Sequence, residues 1–117
     1  MRESVLVVDD DPAFRTLARR LLAGSGLRVV GEADSAAAAL IAAARLMPDA
    51  ILVDVGLPDG DGIALARELE ALPWRPRVVL TSIDGDAADR VRRSGSSAFI
   101  HKAELPDARL ARLLGTD

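Results

Sequence analysis

Five short apolar runs rich in β-branched residues punctuate this chain: SVLVV (4–8), LRVVGEA (27–33), AILV (50–53), RVVL (77–80) and AFI (98–100). Between them, apolar residues recur at three- and four-residue steps. This alternation restricts the fold more than any other feature, because strands repeat every ~2 residues and helices every ~3.6. PAFRTLARRLLAG (12–24) opens on Pro12, suited to a first helical turn, and Gly24 reads as its stop. Phe14, Leu17, Leu21 and Leu22 form its apolar stripe. SAAAALIAAAR (35–45) reads as a helix because alanine is the best helix former, with Asp34 or Ser35 as N-cap. DGIALARELEAL (61–72) repeats the pattern through Ile63, Leu65, Leu69 and Leu72. DAADRVRRSG (86–95) is a weaker, polar helix, and LPDARLARLLG (105–115) is a short last one.

The first, third and fourth strands are nearly continuous apolar runs, as in parallel strands covered on both faces. Their connections are then right-handed βαβ crossovers. The expected architecture is α/β: an open doubly wound five-stranded parallel sheet, (βα)5, with helices on both faces. The pattern alone does not set the strand order. A chain of 117 residues makes one domain, expected over residues 1–117. Only 3% of it is aromatic, so Val, Leu, Ile and Ala fill the core. With 15 basic and 18 acidic residues, nothing in the charge favours direct nucleic-acid binding. The absence of cysteine excludes disulfides and thiolate chemistry. The start, MRESVLVV, is unlike a signal peptide, and no apolar run approaches the ~20 residues of a membrane helix. A cytoplasmic protein without membrane contact is expected.

In open parallel sheets, sites form beyond the carboxyl ends of the strands. Here the first strand delivers Asp9, Asp10 and Asp11, and the third delivers Asp54. The fourth ends in Thr81 and Ser82, and the fifth in His101 and Lys102. Glu32 and Asp34, after the second strand, read as ordinary polar residues, and Asp11 reads as the helix cap ahead of Pro12. Carboxylates ~5 Å apart repel by roughly 3 kcal/mol at an effective dielectric near 20. A divalent cation would offset that repulsion. Asp9, Asp10 and Asp54 are hard oxygen ligands of the kind that suit Mg²⁺ or Mn²⁺.

With VLVVDDDP (5–12), ILVDVGLPDGDG (51–62), VVLTS and AFIHK in this order, the chain resembles the receiver domain of bacterial two-component response regulators. The resemblance covers nearly the whole chain. It implies the flavodoxin-like strand order 2-1-3-4-5. It also implies that Asp54 accepts a phosphoryl group from a histidine kinase or phosphotransfer protein. Asp10 matches a direct Mg²⁺ ligand, and Asp9 the partner that holds metal-bound water. Gly56 would offer its backbone carbonyl to the metal. Thr81 would donate its hydroxyl to a phosphoryl oxygen, and Lys102 would pair with the acyl phosphate. Phe99 matches an aromatic switch position, against a plain reading as core packing. The implied output surface is helix 4, strand 5 and helix 5. It would meet an output protein or an effector domain absent from this chain, and a homodimer is left open.

Some positions depart from the family pattern. Residue 103 is Ala where many receivers carry a cis-proline, and Pro106 comes too late to replace it. Ile83 is apolar where many relatives are polar, and with Gly56 it borders the route of the hydrolytic water. These two are expected to tune the phosphoryl lifetime.

Other signals are weaker. PDGDG (58–62) lacks the fifth ligand of a calcium loop and reads as a turn in which Gly60 and Gly62 permit positive φ and a tight approach. GSG (24–26) is a helix stop. His101 has no nucleophile partner and reads as a surface residue, Trp74 packs in a turn, and Arg90, Arg92 and Arg93 form a solvated helix face.

The function expected is a phosphorylation-controlled switch that modifies itself, not a turnover enzyme. One alternative is a Mg²⁺-dependent small-molecule phosphatase or phosphotransferase. Gly56 stands where a haloacid-dehalogenase-like enzyme needs a second Asp. The other is a receiver-like binding module that works without phosphorylation. RLARLLGTD fits a natural chain end, so a stand-alone receiver is slightly favoured over a fragment.

Overall fold

The computed structural model describes residues 3–95, 98–105 and 108–115. The chain runs β1 (Ser4–Val8), α1 (Pro12–Gly24), β2 (Arg28–Ala33), α2 (Ala36–Leu46) and β3 (Ala50–Asp54). A small hairpin, β4 (Gly56–Leu57) and β5 (Gly60–Asp61), leads into α3 (Gly62–Glu70). Then come β6 (Arg77–Ser82), α4 (Ala87–Arg93), β7 (Ala98–His101), a 3-10 turn (Lys102–Glu104) and α5 (Ala108–Leu114). Pro106 lies outside the described residues. None of the helices, among the described residues, is long and apolar enough to cross a membrane.

The main sheet is parallel throughout, in the order β2-β1-β3-β6-β7. Counting its five strands alone, the order is 2-1-3-4-5, as the resemblance implied. Strand alternation sends side chains to two cores. Leu6, Val8, Ile51, Val53 and Leu80 face α2, α3 and α4. Val5, Val7, Leu52, Val79 and Ile100 face α1 and α5. Each of these side chains is essentially fully buried, worth about 1.5–3 kcal/mol for a Val or Leu. The ladder of β1 with β2 slips between Val5 and Leu6, so that Val5 pairs with Val29 and Leu6 with Gly31.

The helix ends show how local chemistry sets the frame. Asp11 caps α1 by accepting from the Ala13 N–H at 2.9 Å. α1 stops at Gly24, as expected from sequence, and the left-handed residue that closes it lies two places further on. Gly26 adopts φ +83°, Leu27 N–H donates to Leu22 O, and Gly26 N–H donates to Ala23 O. Those paired bonds need a left-handed residue two places beyond the helix. The buried stripe of α1 is Phe14, Ala18 and Leu22, one residue per turn, while Leu17 stands 45% exposed. Small Ala18 lies on the row facing the sheet, and an apolar-size reading overlooks it. In α2, Ser35 accepts from the Ala38 N–H, while Asp59, reaching over from the β4–β5 turn, accepts from Ala36 and Ala37. Trp74 is half-buried before β6 and donates its indole N–H to Pro48 O at 2.8 Å.

Candidate functional site

The carboxyl ends of β1, β3, β6 and β7 border one cavity of about 690 Å³. Asp9 is fully buried. Its carboxylate accepts from the Asp11 N–H at 2.9 Å and from Lys102 Nζ at 2.6 Å. Arg15 donates to the Asp9 carbonyl at 2.7 Å, which fixes the backbone beneath. Asp54 is 8% exposed, and Lys102 Nζ stands 3.7 Å from it. Asp10 is exposed at the mouth. Asp9, Asp10 and Asp54 each offer an oxygen within 4.8 Å of the others. The sequence-expected carboxylates and ammonium therefore converge.

Burial pushes the Asp54 carboxyl up to about 6. The Lys102 ammonium pulls it back, while the charges of Asp9 and Asp10 add to the rise and the Gly56 N–H lowers it. Lys102 is itself held on three sides. Besides the two carboxylates, its Nζ sits 4.1 Å from the centroid of the Phe14 ring, a cation–π contact. The all-oxygen donor set around an excess of negative charge fits a hard divalent cation.

Thr81 lies opposite Asp54 in the β3–β6 register and is fully buried. Its Oγ1 is the one buried side-chain polar atom without a hydrogen bond among the described residues. Leaving such a group unpaired costs about 1–3 kcal/mol. Neighbouring Ser82 is occupied, accepting from the Asp84 N–H.

The loop after Asp54 is held close by Gly62. A Cβ there would lie 2.2 Å from the Asp54 carbonyl oxygen and 2.7 Å from Val55 Cα. The tight approach expected of PDGDG is therefore present at Gly62, but positive φ is not. Among the described glycines it occurs at Gly26 and Gly95, and neither Gly60 nor Gly62 adopts it. Gly60 pairs within the β4–β5 hairpin, and Gly62 opens α3.

His101 has a structural task that the sequence reading missed. Its Nδ1 accepts from the Ala103 N–H at 3.1 Å, and Glu104 accepts from the His101 N–H at 3.2 Å. This reciprocal cap holds the 3-10 turn that carries Lys102. A proline at 103 would lack the N–H that His101 uses. Phe99 is half-buried against the core on the α3–α4 face, outside the acidic cluster.

Ile83 is 79% exposed on the cavity wall, and Gly56 lines the same wall. Glu32 is more than an ordinary polar residue. Hydrogen bonds from Arg19 first, then Arg15, hold its carboxyl below the usual range. Of the expected solvated arginines, Arg92 pairs with Asp89 on its own helix, whereas Arg90 reaches Asp61 and lines the cavity. The tertiary partners of Phe14, Arg15 and Arg90 left no mark in the local pattern.

The family model described as response regulator receiver domain matches residues 5–113. The KDP operon transcriptional regulatory protein KdpE of Escherichia coli is 43% identical over 101 residues, covering 85% of this chain and 44% of KdpE. The DNA-binding response regulator MtrA of Mycolicibacterium smegmatis is 36% identical over 117 residues, covering 97% of this chain and 50% of MtrA. The chain thus spans about half the length of these curated relatives. The BeF3-activated N-terminal receiver domain of RstA from Klebsiella pneumoniae superposes with a TM-score of 0.79 at 34% identity, covering 94% of each chain.

Proposed function

The chain belongs to the response regulator receiver domain family, and from that premise we propose that Asp54 accepts a phosphoryl group from a histidine kinase or phosphotransfer protein. An Asp54 carboxylate oxygen attacks phosphorus in line as the phosphorus–nitrogen bond of the donor phosphohistidine breaks. Such transfer is governed by positioning and charge stabilisation. Asp10, Asp54 and the Gly56 carbonyl would hold Mg²⁺ (or Mn²⁺), with Asp9 reaching it through water. Bound there, the cation would neutralise charge building on the phosphoryl oxygens. Lys102 screens the acyl phosphate from the opposite side.

The observation that carries this reading is the unpaired, fully buried hydroxyl of Thr81, in register with Asp54. A phosphoryl oxygen would supply its missing acceptor. As Thr81 moves toward it, Phe99 turns inward and biases the surface of α4, β7 and α5. Moving that equilibrium from 1:99 to 99:1 takes about 5.5 kcal/mol. Gly56 and Ile83 border the path of the hydrolytic water and set how long the modification lasts.

On this reading residues 1–117 form one receiver unit, modified stoichiometrically rather than turning over substrate, and it works in the cytoplasm. Its output goes to a protein partner or an effector domain. The test is intact mass after incubation with acetyl phosphate and Mg²⁺, with the modified residue mapped. One phosphoryl group per chain on Asp54 is expected. A label elsewhere, or repeated turnover of a phosphomonoester, would overturn the assignment.

A further inference from the structure

Arg90, on α4, stands on the wall of the acidic cavity yet is bound to neither the acidic cluster nor the core. Its NH2 lies 3.4 Å from Asp61 Oδ2, with the two side chains 50% and 45% exposed. Exposed pairs of this kind hold weakly. Asp61 does not depend on the arginine, because its Oδ1 already accepts from the Ile63 N–H at 3.0 Å as the N-cap of α3. Behind Arg90 a second hollow, of about 390 Å³, is also lined by Arg67 and Arg93. Arg67 is fixed there, donating to Ser94 O at 2.8 Å. Arg67, Arg90 and Arg93 thus line that hollow together with Asp61, which leaves Arg90 between a basic hollow and the acidic cavity.

A phosphoryl group on Asp54 would add about two negative charges to the cavity. A guanidinium meets phosphoryl oxygens through parallel N–H donors, a better match than one oxygen of an exposed carboxylate. We propose that Arg90 is a phosphoryl-binding residue of the modified state: it leaves Asp61 for the phosphoryl oxygens at Asp54 and draws α4 toward the cavity. The resting pair with Asp61 is then a parking position. The helix can follow, because Ala87 and Val91 are its buried side chains and neither is large. This rests on the reading of Asp54 as acceptor.

The full chain, with Mg²⁺ present, is titrated with beryllofluoride as a phosphoryl mimic, and the Arg90 Nε–H resonance is followed by NMR. That resonance should shift and gain protection on binding. Arg90→Ala should weaken binding roughly tenfold, and Arg90→Lys should restore part of it. Asp61→Asn keeps a competent N-cap, so it should bind as tightly as the unsubstituted chain or more tightly. Equal binding by Arg90→Ala, or an unmoved Arg90 resonance, would overturn the inference and leave the acceptor reading intact. Weakening of Asp61→Asn in step with Arg90→Ala would overturn it too, by making the pair purely structural. No binding by the unsubstituted chain, with Asp54 unlabelled by acetyl phosphate, would remove the acceptor reading and this inference with it.

Discussion

Thr81 presents a fully buried hydroxyl without a partner beside a buried acid. A native core carries such a group at a cost of about 1–3 kcal/mol, so replacing it by an isosteric methyl should relieve the fold. Thr81→Val is expected to raise the unfolding free energy by about 1 kcal/mol in urea titrations. The same variant should retain the phosphoryl group less well. A loss of stability would mean that the hydroxyl has a partner in solution. At this scale the sequence was informative where a strand end dictates position. Asp9, Asp10, Asp54 and Lys102 follow apolar runs directly, and the topology of a parallel sheet brings such ends together. It was silent on Phe14 beneath Lys102 and on the pair of Arg90 with Asp61, since neither helix pattern specifies a distant partner.

The β4–β5 hairpin and the start of α3 form the element that frames Asp54 from below. Its crossing point is Gly62, whose N–H donates to Val55 O at 2.8 Å and whose α-carbon leaves no room for a side chain against Asp54. Gly62→Ala should destabilise by about 2–4 kcal/mol, because backbone rather than a flexible side chain must move. Chemical denaturation measures this, and a change under ~0.5 kcal/mol would contradict the close approach. Strands of two residues are too short to show a period, so PDGDG could be read only as a turn. The glycine there answers to a steric constraint, which a sequence shows no differently from a demand for positive φ. The end of α1 at Gly24 was legible, but which glycine takes the left-handed backbone was not, for a related reason. GSG offers two glycines, and the choice of Gly26 is made by the bonds of Leu27 and Gly26 back to the helix.

For the molecule as a whole, the burial of an acid, with like charge beside it, makes stability respond to pH. The folded Asp54 holds its proton up to about 6, whereas its ordinary value is 3.8. Between those values the folded state binds more protons than the unfolded one, so stability falls as pH rises through the window. By neutral pH the ionised group is a full liability unless a cation is bound. Glu32, and Asp49, whose carboxylate accepts from the Ser4 backbone N–H and hydroxyl and is held low by them, give slopes of the opposite sign at lower pH, so the useful quantity is a difference between variants. Metal-free Asp54→Asn should melt a few degrees higher at pH 7, a gain of order 1 kcal/mol, with the gap closing toward pH 4. A gap that is constant with pH would show that Asp54 is not the titrating group.

The slip in pairing between β1 and β2 has a consequence beyond the phosphoryl pocket. Gly31 lies just past the skipped residue, where a Cβ would strike Leu46 of α2 at 2.6 Å. The outer strand of the sheet is therefore irregular in its pairing, close to α2 at Gly31, and carries the charged residues Arg28 and Glu32. A border broken in this way makes a poor template for another extended chain. Fibril growth by strand addition is disfavoured on that side, which steers self-association toward the helical faces.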